Sequence, residues 1–308
     1  MLLQLQASGF GSFIGQYSVG ALVYADDVTL LGPTLTSITS MLQVVKAFSD
    51  RFHVVFNAAK TKLTKFGIKN DTSRETLLFN GECIQCDNCA CHLGSVIGSN
   101  MDSQNISKSI NEFVSNINRI KSCFSYVDTE ILYKLLKSYC MPLYGCTLWD
   151  FSLKNVLRFF TTWRKSLRNL IKLPHRTHSR LLPHIVADRP VEVQLHNRFI
   201  NFLKSLSRSE NILLKLGFQL CISGSCSSVS NSYVYIKEKY GVKGDITNCG
   251  GISSSTELNV SDEFLINHIR DLLCMREQPQ KSILSSDEIN TLLEYFCCNA
   301  TIVNCNSS

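Results

Sequence analysis

The sequence contains no run of 18 or more apolar residues, so nothing in it reads as a membrane-spanning helix. Its first twenty residues, Met1 to Gly20, include no Lys or Arg, and Gln4, Gln6, Ser8, Gly9 and Gly11 interrupt their apolar positions. A secretory signal peptide needs a basic start and an unbroken apolar middle, so this stretch is a poor one. It reads instead as a buried segment. No internal repeat is found. Paired-cysteine spacing of the disulfide-scaffold kind is also missing: fourteen Cys are scattered along 308 residues. In a long chain without a targeting segment, reduced intracellular thiols are the simpler reading. The expected location is therefore intracellular, nucleus or cytoplasm, and not secreted.

Hydrophobic residues make up 44% of the chain, enough for a sizeable core and for two or three domains. The net charge of +6 is modest but unevenly spread. Between Lys154 and Arg208 lie twelve Lys or Arg against only Asp188 and Glu192, a net +10, which leaves −4 for the rest. Trp163, Phe159, Phe160 and Phe199 are interleaved with these charges. A concentrated basic segment fits a phosphate-backbone partner. A solvated helix face is the plainer alternative.

The periodicity predicts an α+β chain. Val19–Tyr24 and Val28–Leu31 are short apolar runs separated by Ala25-Asp26-Asp27, the pattern of a tight β-hairpin with carboxylates at its tip. Gly32-Pro33 ends the second strand, and Thr34 can cap a helix carrying Leu35, Ile38, Met41, Leu42, Val45, Phe48 and Phe52. Val54–Phe56 and Lys62–Phe66 return to extended structure. Asn80-Gly81 and Asp87-Asn88 are turn formers, so two small hairpin strands are expected between Leu77 and Ile97. From Asn105 the pattern becomes helical. Ile106, Ile110, Phe113, Ile117 and Ile120 share one face, and Met141-Pro142 breaks a following helix. The basic window is mostly helical, punctuated by Pro174, Pro183 and Pro190. Residues 222–255 are rich in Ser, Gly and Asn and read as a linker. Short helices are expected at about Asp262–Leu273 and from Ser285, where Glu288 fits a capping box. The division that follows is 1–98, 99–216 and 217–308.

Two adjacent carboxylates on a rigid turn suit a divalent metal. Mg²⁺ prefers a few hard oxygens and completes its shell with water and substrate phosphates. Nucleotidyl transfer uses two such ions roughly 4 Å apart. Asp-Asp alone is usually just a turn. The whole stretch Gly20-Ala-Leu-Val-Tyr-Ala-Asp-Asp-Val-Thr-Leu-Leu31 says more, because it resembles the catalytic hairpin, motif C, of reverse transcriptases. Phe56-Asn57-Ala58-Ala59-Lys60-Thr61 is similar to motif D of the non-LTR, LINE-like retrotransposon branch. Cys91-His92-Leu93-Gly94 resembles motif E, the primer grip. The order and spacing of the three match the family. His175-Arg176-Thr177-His178 and Leu181-Leu182-Pro183 look like its thumb-side region, and the resemblance weakens beyond about Arg208.

What the resemblance implies is a partial right-hand polymerase palm in 1–98, a helical, basic thumb in 99–216 and a small helical tail after a linker. It implies an RNA-directed DNA polymerase with Mg²⁺ as cofactor and RNA template and DNA primer as partners, and no membrane. Asp26 would be the principal metal ligand and Asp27 its supporting neighbour. Tyr24 would shape the floor near the primer terminus. Lys60 would protonate the pyrophosphate leaving group, a role an ammonium beside a polyphosphate can fill. His92, Leu93 and Gly94 would grip the primer, and Arg164, Lys165 and Arg168 would contact the nucleic-acid backbone.

The family also uses a motif A aspartate and a Gly- and Gln-containing motif B, both upstream of the hairpin. Only 23 residues precede Tyr24, and none is Asp or Glu. The chain is therefore expected to be a carboxy-terminal part with little or no activity alone, whose partner is the upstream palm and fingers of a parent polyprotein. An unpaired strand edge and an uncovered helix face beside the hairpin should then favour aggregation. The alternative is a non-catalytic nucleic-acid-binding remnant, or a fossil without selected function. Cys83, Cys86, Cys89, Cys91 and His92 are crowded for structural zinc, which usually takes two ligand pairs separated by a wrapping loop.

Overall fold

The computed structural model describes residues 1–66, 76–98, 102–223 and 227–248, and they fold as an α+β protein with two hydrophobic cores. The expected helices at about Asp262–Leu273 and from Ser285 lie outside the described residues.

The smaller core belongs to the amino-terminal part. Helix α1 (Leu2–Ser8) buries Leu5 against α2 (Leu35–Phe52), which contributes Met41, Leu42 and Val45. The Thr34 hydroxyl caps α2 by accepting from Ser37 N–H at 3.1 Å, and His53 closes it in the left-handed region. Two short strands, β1 (Phe13–Ile14) and β2 (Tyr17–Ser18), lead into the hairpin β3 (Ala21–Tyr24) and β4 (Asp27–Leu30). Their base is fastened where two backbones touch. A Cβ at Gly11 would lie 2.4 Å from the Gly20 Cα, so only glycine fits. Ser12 N–H donates to Leu31 O at 2.8 Å, and Leu31 N–H to Gly20 O at 2.7 Å.

The β3–β4 hairpin remains a two-stranded sheet among the described residues. The expected third extended segment is reduced to β5 (Leu63–Thr64). It pairs in parallel with β7 (Glu82–Asp87) rather than with the hairpin. Strand β6 (Thr76–Phe79) joins β7 through Asn80-Gly81, both at positive φ as a tight two-residue turn requires. The next hairpin, β8 (Cys89–His92) with β9 (Ser95–Gly98), does not turn at Asp87-Asn88 as expected. Asn88 only links β7 to β8, and the turn is Leu93-Gly94, at φ 47° and 79°.

The larger core is helical. Helix α3 (Asp102–Cys123) buries the expected stripe of Ile106, Ile110, Phe113, Ile117 and Ile120. It packs on α5 (Lys154–Leu170), where Phe113 and Phe159 meet edge-on at 5.4 Å between ring centres. Between them, α4 (Thr129–Leu135) runs on as a π-helical turn, Leu136–Cys140, before Pro142. A short α6 (Leu182–Ile185) and then α7 (Val191–Arg208) follow, with Pro183 in the first turn of α6 and Pro190 at the start of α7.

The linker expected from residue 222 is only partly such. Helix α8 spans Ile212–Ile222, across the expected boundary at 216/217, and α9 occupies Ser228–Lys239. Tyr233, Ile236 and Ile246 belong to the same core as α3 and α5. The reason lies in long-range bonds. Ser232, fully buried, accepts from Phe151 N–H at 2.8 Å and donates to Trp149 O at 2.7 Å. Burial of a serine is tolerated because both its donor and acceptor are used.

The two parts meet at β9 and α3. The Asn105 amide accepts from Val96 N–H at 2.9 Å and donates to Val96 O at 2.8 Å. Lys108 donates to Gly94 O at 3.1 Å.

Candidate functional site

Asp26 and Asp27 stand at the tip of the β3–β4 hairpin and are exposed. The register pairs Tyr24 with Asp27, so Ala25 and Asp26 form a two-residue turn. Ala25 takes φ 53°, in the left-handed region that disfavours a side chain. Glycine or asparagine is the ordinary occupant of such a position, so alanine here is strained. Asp26 belongs to the turn and Asp27 opens β4, which gives the two carboxylates unequal positions. Tyr24 is 66% exposed, and Leu22 and Val23 on the same strand are also exposed.

Lys60 closes a 3-10 turn, Ala58–Lys60, whose first residue is buried and whose cap is Asn57, accepting from Lys60 N–H at 3.1 Å. That turn packs beside β7. The hairpin tip and Lys60 are thus carried by separate elements that no sheet joins. His92 ends β8, and Leu93 and Gly94 form the β8–β9 turn. Leu93, like Ala25, is a non-glycine residue in the left-handed region. A side chain at Gly94 would lie 3.8 Å from the Tyr144 ring, so this turn sits against the helical part.

The fit to Mg²⁺ is partial. The adjacent carboxylates can offer oxygens to one ion, with water and phosphate completing the shell. Among the described residues no group of three or more His, Cys, Asp or Glu is placed to share a metal, at the hairpin or at the Cys83–His92 stretch. Asp26 and Asp27 by themselves could offer only one side of such a site. The opposed ligands that a two-ion clamp needs are not supplied by the described part of this chain.

The basic residues divide into two kinds. Arg164 forms an ion pair with Glu192 across α5 and α7. Arg168 is 9% exposed and donates to Thr177 O at 2.8 Å and Ser179 Oγ at 2.7 Å. Burial, and then the neighbouring Arg164 charge, lower its pKa, but a guanidinium stays protonated. Of the expected trio only Lys165 is exposed. Lys154, Arg158, Lys172, Arg176, Arg180, Arg189 and Arg208 are exposed as well, so the window keeps a solvent-facing cationic surface.

Reading the sequence missed a cleft between α5, α6 and α7, lined by Trp163, Arg164, Ser179, Arg180, Pro190 and Glu192. One signal was available: Glu192 is one of only two acids among twelve bases, which marks it as a partner for a buried cation. The other acid, Asp188, accepts from Tyr133 at 2.8 Å and Lys137 at 2.6 Å. Burial alone would raise its pKa, but these hydrogen bonds outweigh it and hold it below the usual carboxylate value.

Comparison with known proteins returns no matching family model, no matching curated protein and no matching solved structure.

Proposed function

We propose that this chain is the carboxy-terminal part of a reverse transcriptase of the non-LTR, LINE-like kind. It would contribute a metal-binding carboxylate hairpin, a primer-gripping turn and a basic helical surface to an RNA-directed DNA polymerase. The observation that carries the reading is the Tyr24-Ala25-Asp26-Asp27 hairpin. Its acidic pair sits exposed on a turn held tight by a strained alanine. Strain of about 1–3 kcal/mol per residue persists where the surrounding structure imposes it, and such positions cluster at functional sites. The β8–β9 turn adds support: Leu93-Gly94 is a tight turn beside Tyr144, where a primer strand could run between the two parts. Eight exposed cations across the basic window supply the surface for the backbone.

Asp26 and Asp27 would hold Mg²⁺ at the growing end, with further ligands from outside the described residues. Lys60, on its own turn, would serve the leaving pyrophosphate. The expected behaviour of the isolated chain follows: no template-dependent extension of a DNA primer on RNA in the presence of Mg²⁺, together with binding to the same hybrid. Gel-resolved primer extension and fluorescence anisotropy on one preparation test both. Extension that vanishes in Asp26→Ala would overturn the incompleteness of the site. Absence of hybrid binding at low salt would overturn the reading as a whole.

The plainer reading, a non-catalytic nucleic-acid-binding remnant, is favoured by one observation. The carboxylate pair lacks a third acid among the described residues, whereas eight cations of the basic window are exposed.

A further inference from the structure

Helix α8 is out of keeping with its place on the surface. Its eleven residues, Ile212–Ile222, hold only two polar side chains, Lys215 and Gln219, which lie one turn apart and make a single narrow strip. The rest of the helix is apolar or glycine. A helix that is apolar nearly all round is normally covered nearly all round. Every other α-helix among the described residues buries at least one side chain, yet α8 buries none. It packs on α7 and α9, and Phe218 leans on the larger core. Beside the Lys215–Gln219 strip, Ile212, Leu216 and Leu220 stand at i, i+4 and i+8, one continuous row. Ile212 is 43% and Leu220 47% exposed, with Leu216 half-buried between them.

The chain itself holds a segment that fits this row. Past the described residues, 249–308 carries eight Asp or Glu against three Lys or Arg, a net −5, whereas 1–248 carries +11. Within it Leu265, Ile266, Ile269, Leu272 and Leu273 recur at i, i+1, i+4, i+7 and i+8, a stripe of helical period. Asp262 and Glu263 stand just before the stripe. Around α8 the charge has the opposite sign: Lys215 on α8 itself, Lys204 and Arg208 on α7, and Lys237 and Lys239 on α9, against Glu210 and Glu238. The point of exit suits as well. The 3-10 turn Ile246–Asn248 packs on α7, the helix on which α8 rests, and Ile246 is fully buried. Thirteen residues separate Asn248 from Asp262. Extended, they reach roughly 40 Å, more than twice the ~17 Å length of α8.

We propose that residues 262–273 fold back on this row, with the stripe from Leu265 to Leu273 over Ile212, Leu216 and Leu220 and the acids Asp262 and Glu263 beside Lys215. The contact is independent of the nucleic-acid reading and stands or falls by itself. A segment of the same chain is favoured over a separate partner on two grounds. It brings the charge opposite to that around α8. It is also tethered beside its target, where a short linker holds it at an effective concentration of about millimolar.

Hydrogen exchange of the full chain, read by mass spectrometry, tests the cover. Ile269→Asp with Leu272→Asp puts two carboxylates into the stripe and lies outside both described cores. Ile269→Leu with Leu272→Met keeps the stripe apolar. In the acidic variant the amides of α8 should exchange on the order of tenfold faster than in the wild type, with α3 unchanged. The apolar variant should match the wild type. Equal α8 exchange in all three chains would overturn the proposal. Carbodiimide coupling, which joins a carboxylate to an amine in direct contact, identifies the occupant. Wild-type chains of natural and ¹⁵N isotope content are incubated together before coupling. Lys215 should be found joined to Asp262 or Glu263 within chains of one isotope. Joints between the two isotopes would assign the cover to a second copy, and the lack of any joint from Lys215 to this segment would assign it elsewhere; either result overturns the proposal.

Discussion

At the scale of single residues, two features of this chain have measurable consequences. The first is Ala25, held at φ 53° in the hairpin turn. A residue with a Cβ gives up about 1–2 kcal/mol there, and glycine regains part of it while losing more freedom on folding. Ala25→Gly should therefore stabilise the protein by about 0.5–1 kcal/mol, whereas Ala21→Gly, in regular strand β3, should destabilise it by a similar amount. Paired thermal melts read this directly, and equal losses for both would mean that Ala25 is not strained. The second is His196, fully buried among Phe151, Phe160, Tyr235 and Tyr240, with its Nδ1 2.9 Å from the Tyr240 hydroxyl. Burial first, and then the nearby Lys239 charge, push its pKa down to about 3. The folded state thus keeps the imidazole neutral where the unfolded chain, with a value near 6.5, takes up a proton. Stability from this residue is whole above pH about 6.5 and is lost progressively as pH falls toward about 3. One pH unit below the unfolded value the loss is about 1.4 kcal/mol. Urea midpoints at pH 7.5 and 5.5 should separate accordingly in the wild type, and the gap should shrink in His196→Phe.

At the scale of elements, helices with a strong stripe were legible and strand partners were not. Thr34 and the seven apolar residues after it define α2, and the five-residue stripe from Ile106 defines α3, because both signals are local. Asn80-Gly81 turned as expected for the same reason. Leu93-Gly94 did not announce itself, since leucine is a poor choice for positive φ and the turn is held by contacts distant in sequence, beside Tyr144 and through the Lys108 bond to Gly94 O. The Ser-rich stretch that became α9 was hidden because its buried Ser232 is satisfied by the distant backbone of Phe151 and Trp149. The same limit applies to the cations. Arg164, Lys165 and Arg168 look alike along the sequence, yet one pairs with Glu192, one is solvated and one pins a loop. Their variants should separate in kind. Lys165→Ala should leave stability unchanged and flatten the log–log salt dependence of duplex binding by up to about one unit. Arg168→Ala should cost about 2–3 kcal/mol of stability by releasing Thr177 and Ser179. If Arg168→Ala matched Lys165→Ala in both assays, the loop-pinning role would be wrong.

At the scale of the molecule, the described residues form two cores, one from Leu5 to Ile84 and one from Ile106 to Ile246, joined through Asn105 and Val96. Among the described residues the β3–β4 hairpin pairs with no further strand, and Leu22, Val23 and Tyr24 are exposed beside the acidic tip. A surface of that kind, two carboxylates with an apolar strand next to them, suits a partner that brings both a strand and further ligands. The central claim is that Asp26 and Asp27 serve a metal held between protein and nucleotide phosphates. Paramagnetic broadening of backbone amide signals by Mn²⁺, used in place of Mg²⁺, tests it most directly. Broadening should concentrate on residues 24–28, strengthen when a nucleoside triphosphate is added, and disappear from that segment in Asp26→Asn. Broadening spread evenly over exposed acids such as Asp50 and Glu112, indifferent to nucleotide and to Asp26→Asn, would contradict the account.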